Sequence, residues 1–205
     1  MEPGQLQIET FAGDAMRPHI PALAALRMRV FREFPYLYDG DEAYEATYLA
    51  DFIAAPSAAL VVAFDGDRPV GCSTCVRLAE EDDALRAPFA AAGIDVARVF
   101  YFGESVLLSE YRGRGVGVAF FAAREAHARA VSACDLAAFC AVRRPADHPL
   151  RPQNAASLEP LWRRRGFTPY PNLVCRISWK QVDTEAEVEN TLAFWLKPLR
   201  GGALP

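Results

Sequence analysis

The stretch VFYFGESVLLSEYRGRGVGVAFFAAREAHAR, Val99 to Arg129, decides how the rest of the chain is read. Tyr101 to Leu108 is an apolar, β-branched and aromatic run with one carboxylate, Glu104, inside it. Such a run reads as a buried strand. The chain then turns charged and glycine-rich at Glu110-Tyr-Arg-Gly-Arg-Gly-Val-Gly117, and Val118 to Val131 is rich in alanine and phenylalanine. The order is strand, glycine turn, helix. Amides at the start of a helix have no intrahelical acceptor and share the positive end of the helix dipole, so the turn is suited to an anion. Its glycines let the backbone come close to a bulky phosphate.

Working outward toward the N-terminus, Ala58 to Phe64 and Pro69 to Leu78 read as two strands around Asp65-Gly-Asp-Arg, an antiparallel hairpin with a loop of four residues. Before them lie an opening strand at Leu6 to Phe11 and two predicted helices, Arg17 to Phe34 and Asp41 to Ala54, the second capped by Asp41. The linking turn, Phe34-Pro-Tyr-Leu-Tyr-Asp-Gly40, carries too many aromatics for a solvated loop, so it folds onto the core or lines a pocket. Ala79 to Val96 reads as an insertion opening with four acids, Glu80 to Asp83, either a solvated face or an attraction for a cationic amine.

Toward the C-terminus, Asp135 to Val142 reads as a strand, ending in a proline-rich loop that contains His148. A short helix is expected over Asn154 to Arg165, with Asn154 as its cap, then final strands at Leu173 to Trp179 and Leu192 to Leu196.

The composition narrows the function classes. With 205 residues, 52% hydrophobic and 23% charged, the expectation is one globular domain over residues 1–205. A net charge of −4 argues against nucleic acid, and local arginine clusters such as Arg112 to Arg114 suit a small anion. Cys72 and Cys75 stand three apart on a predicted strand, hence on opposite faces, and no second pair completes a metal set. All five cysteines are expected to be reduced thiols. No signal-peptide pattern or apolar run of membrane length is present, which points to a cytoplasmic protein with no membrane partner.

The glycine turn meets neither rival phosphate pattern: no Lys-Ser or Lys-Thr follows Gly117, and no GxGxxG opens the first strand–helix unit. Arg112, Gly115 and Gly117 do satisfy (Arg or Gln)-x-x-Gly-x-(Gly or Ala), and Arg165-Gly-Phe167 ends the last helix. With this order of elements the chain resembles the GNAT superfamily of acyl-CoA-dependent N-acetyltransferases. The resemblance implies an α/β (α+β) fold with a mixed, mostly antiparallel central sheet flanked by helices on both faces. It implies that the backbone of Arg112, Gly113, Arg114, Gly115, Val116 and Gly117 holds the pyrophosphate of acetyl-CoA, with no metal. It further implies that the preceding strand splays at a bulge and that Val106, Leu107 and Leu108 pair with the pantetheine arm. Asn154 touches the cofactor in some relatives. The acceptor, a small-molecule amine or a peptide, is expected against Phe34, Tyr36, Tyr38 and Asp39.

Acetyl transfer needs a polarised thioester carbonyl, a deprotonated amine and a protonated leaving thiolate. Glu104 is the candidate base; the competing reading pairs it structurally with an arginine such as Arg143. The tyrosine that many relatives use as acid is replaced by Trp162, and Tyr111 and Tyr170 read as packing residues, so the acid stays unassigned. The alternative is a non-catalytic CoA-binding module of the same fold; a nucleotide-binding protein is a weaker third reading. A homodimer through the terminal strands stays open.

Overall fold

The computed structural model describes residues 6–205. Seven strands form one sheet: β1 (Gln7–Ala12), β2 (Ala59–Asp65), β3 (Arg68–Arg77), β4 (Val99–Leu107), β5 (Leu136–Val142), β6 (Thr168–Lys180) and β7 (Glu187–Pro198). Their order is β1-β2-β3-β4-β5-β7-β6, antiparallel throughout except for the parallel pair β4 and β5. The mixed, mostly antiparallel sheet expected from the sequence is therefore present. The β2–β3 turn is tighter than expected: Asp65 pairs with Arg68, leaving only Gly66 and Asp67 in the loop.

Five helices cover the sheet: α1 (Ile20–Phe31), α2 (Glu42–Ala54), α3 (Asp83–Ala91), α4 (Val116–Val131) and α5 (Glu159–Arg164). Asp41 caps α2 as its sequence position suggests, its carboxylate accepting from the amides of Ala43 and Tyr44 at 2.9 and 3.0 Å. The supposed insertion after β3 contains α3, whose Leu85 and Phe89 join the core. The last helix is shorter than expected. A proline ring clashes with the carbonyl four residues back except in the first helical turn, so Pro160 forces α5 to begin at Glu159. Asn154 is consequently an exposed loop residue and caps nothing.

The two sheet faces are separated by strand alternation. Leu23, Leu49 and Phe89, from α1, α2 and α3, share a core cluster with Cys72, Tyr101 and Phe194. Phe121 of α4 and Leu161 and Trp162 of α5 pack with Cys75, Phe100, Phe102, Phe139 and Trp195. Cys72 and Cys75 thus lie on opposite faces, and burial pushes both thiols up to about 12. Both are free thiols, as are the other three cysteines.

Two irregularities shape the middle of the sheet. β4 and β5 pair only through Val99–Leu136, Phe100–Ala137 and Tyr101–Ala138, then part. Just beyond, the β3–β4 register shifts so that Gly103 and Glu104 oppose the single residue Thr74, a β-bulge. The bulge needs a glycine: a Cβ at Gly103 meets Thr74 Oγ1 at 2.4 Å, and that hydroxyl already accepts from the Glu104 amide at 3.2 Å. Gly103→Ala is expected to destabilise the fold by about 1–3 kcal/mol in urea unfolding. Because the clash is with Thr74, Gly103→Ala combined with Thr74→Ala should cost less than the sum of the two single changes.

Candidate active site

The bulge decides where Glu104 points. Regular alternation would put it beside Phe100 and Phe102, under α4. The extra residue turns it to the opposite face, where α1 and α2 supply its partners. Glu104 Oε1 lies 3.0 Å from Arg27 Nη1, and Tyr48 donates to Glu104 Oε2 at 3.3 Å. The arginine partner is therefore Arg27 of α1; Arg143 instead donates to the carbonyl of Pro171. Arg27 Nε also donates to Glu45 Oε2 at 2.5 Å, and Tyr38 donates to Glu45 Oε1 at 3.0 Å. Burial by itself would lower Arg27, but Glu104, Tyr48 and Glu45 together hold its guanidinium protonated well above the ordinary arginine range. The Arg27 guanidinium also lies over the Tyr48 ring at 4.4 Å.

On the other side of the parting, α4 opens the anion site. Gly115 caps the helix at φ 84° and Gly113 lies at φ 77°, both left-handed values that strain a side-chain-bearing residue. Among the described residues, no hydrogen bond uses the amides of Gly113, Arg114, Gly115, Val116 or Gly117. No acid stands in the first helical turn. Neighbouring contacts fix the turn: Tyr111 donates to Asp65 Oδ2 at 2.7 Å, and Arg112 bridges Glu33 at 2.8 Å and the Leu107 carbonyl at 3.2 Å. Five free amides, positive dipole and flanking arginines fit a pyrophosphate. Beyond Tyr101, β4 has no strand opposite β3, so the backbone of Ser105 to Leu107 borders an open cleft.

The aromatic turn adjoins this cleft and is firmly held. Tyr36 lies against Phe31 and Trp179, with ring centroids 4.4 and 5.9 Å away, and its carbonyl accepts from Arg144 and Trp179. Asp39 is bound between Arg32 and Lys180, which with its hydrogen bonds to both holds its carboxyl below the usual range. Tyr38 is 8% exposed and occupied by Glu45. Phe34 faces His148 and Arg151 at 5.8 and 5.7 Å. Of the residues picked from the sequence, the structure gathers Glu104, Val106 to Leu108, residues 112–117 and the Phe34 to Asp39 turn around one cleft. Asn154 has no contact there through a hydrogen bond.

Other tyrosines are accounted for by packing. Tyr111 is tied to Asp65, Tyr170 donates to the Pro205 carbonyl at 2.8 Å, and Trp162 packs between Phe139 and Trp195 at 5.0 and 5.1 Å. Within Glu80 to Asp83, Glu80 accepts from the Ser57 amide and hydroxyl, and Asp83 pairs with Arg86. Glu81 is in no ion pair among the described residues and accepts from the Asp82 amide. Burial, then the charges of Glu104 and Asp82, push it up to about 7.

Comparison with known proteins places this arrangement. A family model described as the acetyltransferase (GNAT) family matches residues 23–152. No curated protein matches significantly. Among solved structures, the ribosomal-protein-alanine N-acetyltransferase of Brucella melitensis is 14% identical, with a TM-score of 0.60 over 94% of this chain and 99% of that one. YncA of Salmonella typhimurium, determined with its cofactor acetyl-CoA, is 16% identical with a TM-score of 0.57 and 98% coverage of both chains. Arabidopsis thaliana NAA60 in complex with acetyl-CoA is 11% identical, with a TM-score of 0.61 over 96% of this chain and all of that one. At these identities the structures speak for the fold, while the family match spans more than half of the sequence: the chain belongs to the GNAT family of acetyltransferases.

Proposed function

We propose that this protein transfers an acetyl group from acetyl-CoA to a primary amine of a small molecule or peptide, by direct attack in a ternary complex. The observation that carries the reading is the free amide row of Gly113 to Gly117 standing beside the parting of β4 and β5, with Glu104 turned by the bulge toward the opposite face. Acetyl-CoA supplies a thioester carbon open to attack. The chain's own residues do the rest: the α4 amides bind the pyrophosphate, and the open edge of β4 offers backbone groups to the pantetheine amides. Glu104, fixed by Arg27 and Tyr48, presents negative charge where the acceptor ammonium arrives. Phe34 and Tyr36 form the adjoining wall. The leaving thiolate takes its proton from water, since a thiol is a good leaving group near neutral pH.

One observation favours a second reading, a CoA-binding module without turnover. Glu104 already has Arg27 as a partner, and Trp162, where relatives carry an acidic tyrosine, is packed among aromatic rings. Thiol release from acetyl-CoA over a panel of amines separates the two: saturable CoA binding with no release from any amine supports the module.

Gly117→Asp is the clean test of the phosphate site, because a Cβ there meets only Leu161 Cδ2 at an ordinary 3.5 Å and the fold should survive. Its CoA affinity, measured by titration calorimetry, should fall about tenfold or more, since a carboxylate replaces open space where the pyrophosphate binds. An unchanged affinity would make the turn merely structural. Glu104→Gln should leave CoA affinity intact and lower amine-dependent thiol release by about tenfold or more.

A further inference from the structure

Away from the cleft, the molecule has a cavity whose wall keeps hydrogen-bond donors in excess of acceptors. It measures about 580 Å³ and lies where β3 ends and β4 and β5 begin, beside the C-terminal end of α4. β4 and β5 are still paired here, through Val99 and Leu136, so the cavity is at the closed end of the two strands and the parting is at the other.

Arg77, the last residue of β3, sets the character of the wall. Its side chain is 40% exposed, and its ion pair is a long one, with Glu80 Oε1 at 3.8 Å from Nη1. The other oxygen of Glu80 accepts from the Ser57 amide and hydroxyl at 3.1 and 2.8 Å. Arg77 Nε is closed to water with no partner, while Nη1 and Nη2 stay open and donate to nothing among the described residues. A guanidinium held this loosely keeps most of its charge and its donors for an incoming group.

The acceptors around it are already used. The carbonyls of Ser132 and Cys134 accept from Arg200 at 2.6 and 3.2 Å, and that of Ala97 accepts from the Cys134 thiol at 3.4 Å. The carbonyls of Arg98 and Asp135 take the amides of Asp135 and Leu199 at 3.1 and 2.7 Å. The Asp135 carboxylate is bound by Arg98 through two hydrogen bonds, at 3.1 and 2.7 Å. Arg200 also donates to the Arg129 carbonyl at 2.8 Å, which masks the negative end of the α4 dipole. What stays free is the Nη end of Arg77 and the Ala133 amide, which enters no hydrogen bond among the described residues. The apolar part of the wall is Val131, 49% exposed, with the methyl groups of Ala97 and Ala133.

We infer that this cavity binds a small carboxylate with a short branched aliphatic body. Its oxygens accept from Arg77 and the Ala133 amide, and its carbon chain lies against Val131 and Ala97. A wall that offers unpaired donors, one weakly compensated cation and an apolar strip matches an anion of that kind and not an amine or a neutral donor. None of these residues takes part in acetyl transfer, so the two readings stand or fall separately.

The test titrates the protein with isobutyrate and follows backbone amide resonances. Two control probes separate the parts of the claim: isobutyramide has the same shape without the charge, and inorganic phosphate has the charge without the apolar body. Isobutyrate should move the amides of Ala97, Ser132 and Ala133 saturably, and each control should bind there about tenfold or more weakly, as expected for the loss of a charge-assisted hydrogen bond or of the buried carbon chain. Arg77→Met keeps an apolar stem and removes the donors, so its Kd for isobutyrate should rise about tenfold or more. Val131→Asp alters an exposed side chain that the core does not need, and should weaken isobutyrate similarly by placing a like charge at the rim; it decides the matter alone if Arg77→Met does not fold. No movement of these amides, equal binding of isobutyramide or phosphate there, or an unchanged Kd in either folded variant would overturn the assignment. Movement confined to residues 113–117 would overturn it too, since the anion would then be using the glycine turn.

Discussion

Because β4 and β5 share only three residue pairs, the backbone of β4 from Phe102 onward must find hydrogen bonds elsewhere or border open space. β3 satisfies one edge, and the other faces the cleft. Every feature with chemical potential is placed by this parting. The β4 chain runs past it into the glycine turn, so the amides of α4 open at its upper end. The bulge at Gly103 and Glu104 sits where the pairing stops, and bulges re-aim side chains wherever a ladder is interrupted. A fully paired β4 would have been a more stable strand with no site.

The buried charges show what the parting costs. Arg27, Glu45 and Glu104 join α1, α2 and β4, and Tyr38 and Tyr48 supply hydroxyl donors. A carboxylate turned into an apolar interface is tolerable only with a counter-ion and further hydrogen bonds. Arg27 supplies that for two carboxylates at once, Glu45 and Glu104. Arg124 makes the contrast. It is fully buried on the other face with no ion pair among the described residues, and burial lowers it to about 10; the rings of Phe102 and Phe121 and the Phe120 carbonyl hold it instead. The α4 side thus keeps a cation among aromatics, and the α1–α3 side accumulates acid.

Much of this was legible in the sequence, and the failures have identifiable causes. The strand, glycine turn and helix of Val99 to Arg129 were legible because apolar periodicity, glycine and a charge discontinuity coincide there. Asp41 was legible as a cap because capping is local. The start of α5 was also written in the chain, at Pro160, but reading Asn154 as the cap drew the boundary outward. The face of Glu104 was not legible: two-residue alternation assigns it to the phenylalanine side, and only a register shift against Thr74 reverses that. Its arginine partner was missed for the same reason.

The two walls of the cleft are made of different material, and that bears on how such a fold diverges. The α4 side offers main-chain amides, whose geometry depends on two left-handed glycines and little else. Side chains can change around it without altering those amides. The α1–α3 side is built from side chains on three separate elements, Arg27, Tyr48 and Glu104, each held by contacts that a single substitution rearranges. Substitution can therefore rebuild that face while the glycine turn stays fixed. The same asymmetry explains why the glycine turn is legible in one short stretch of sequence, whereas the face of Arg27, Tyr48 and Glu104 is assembled from residues far apart in the chain.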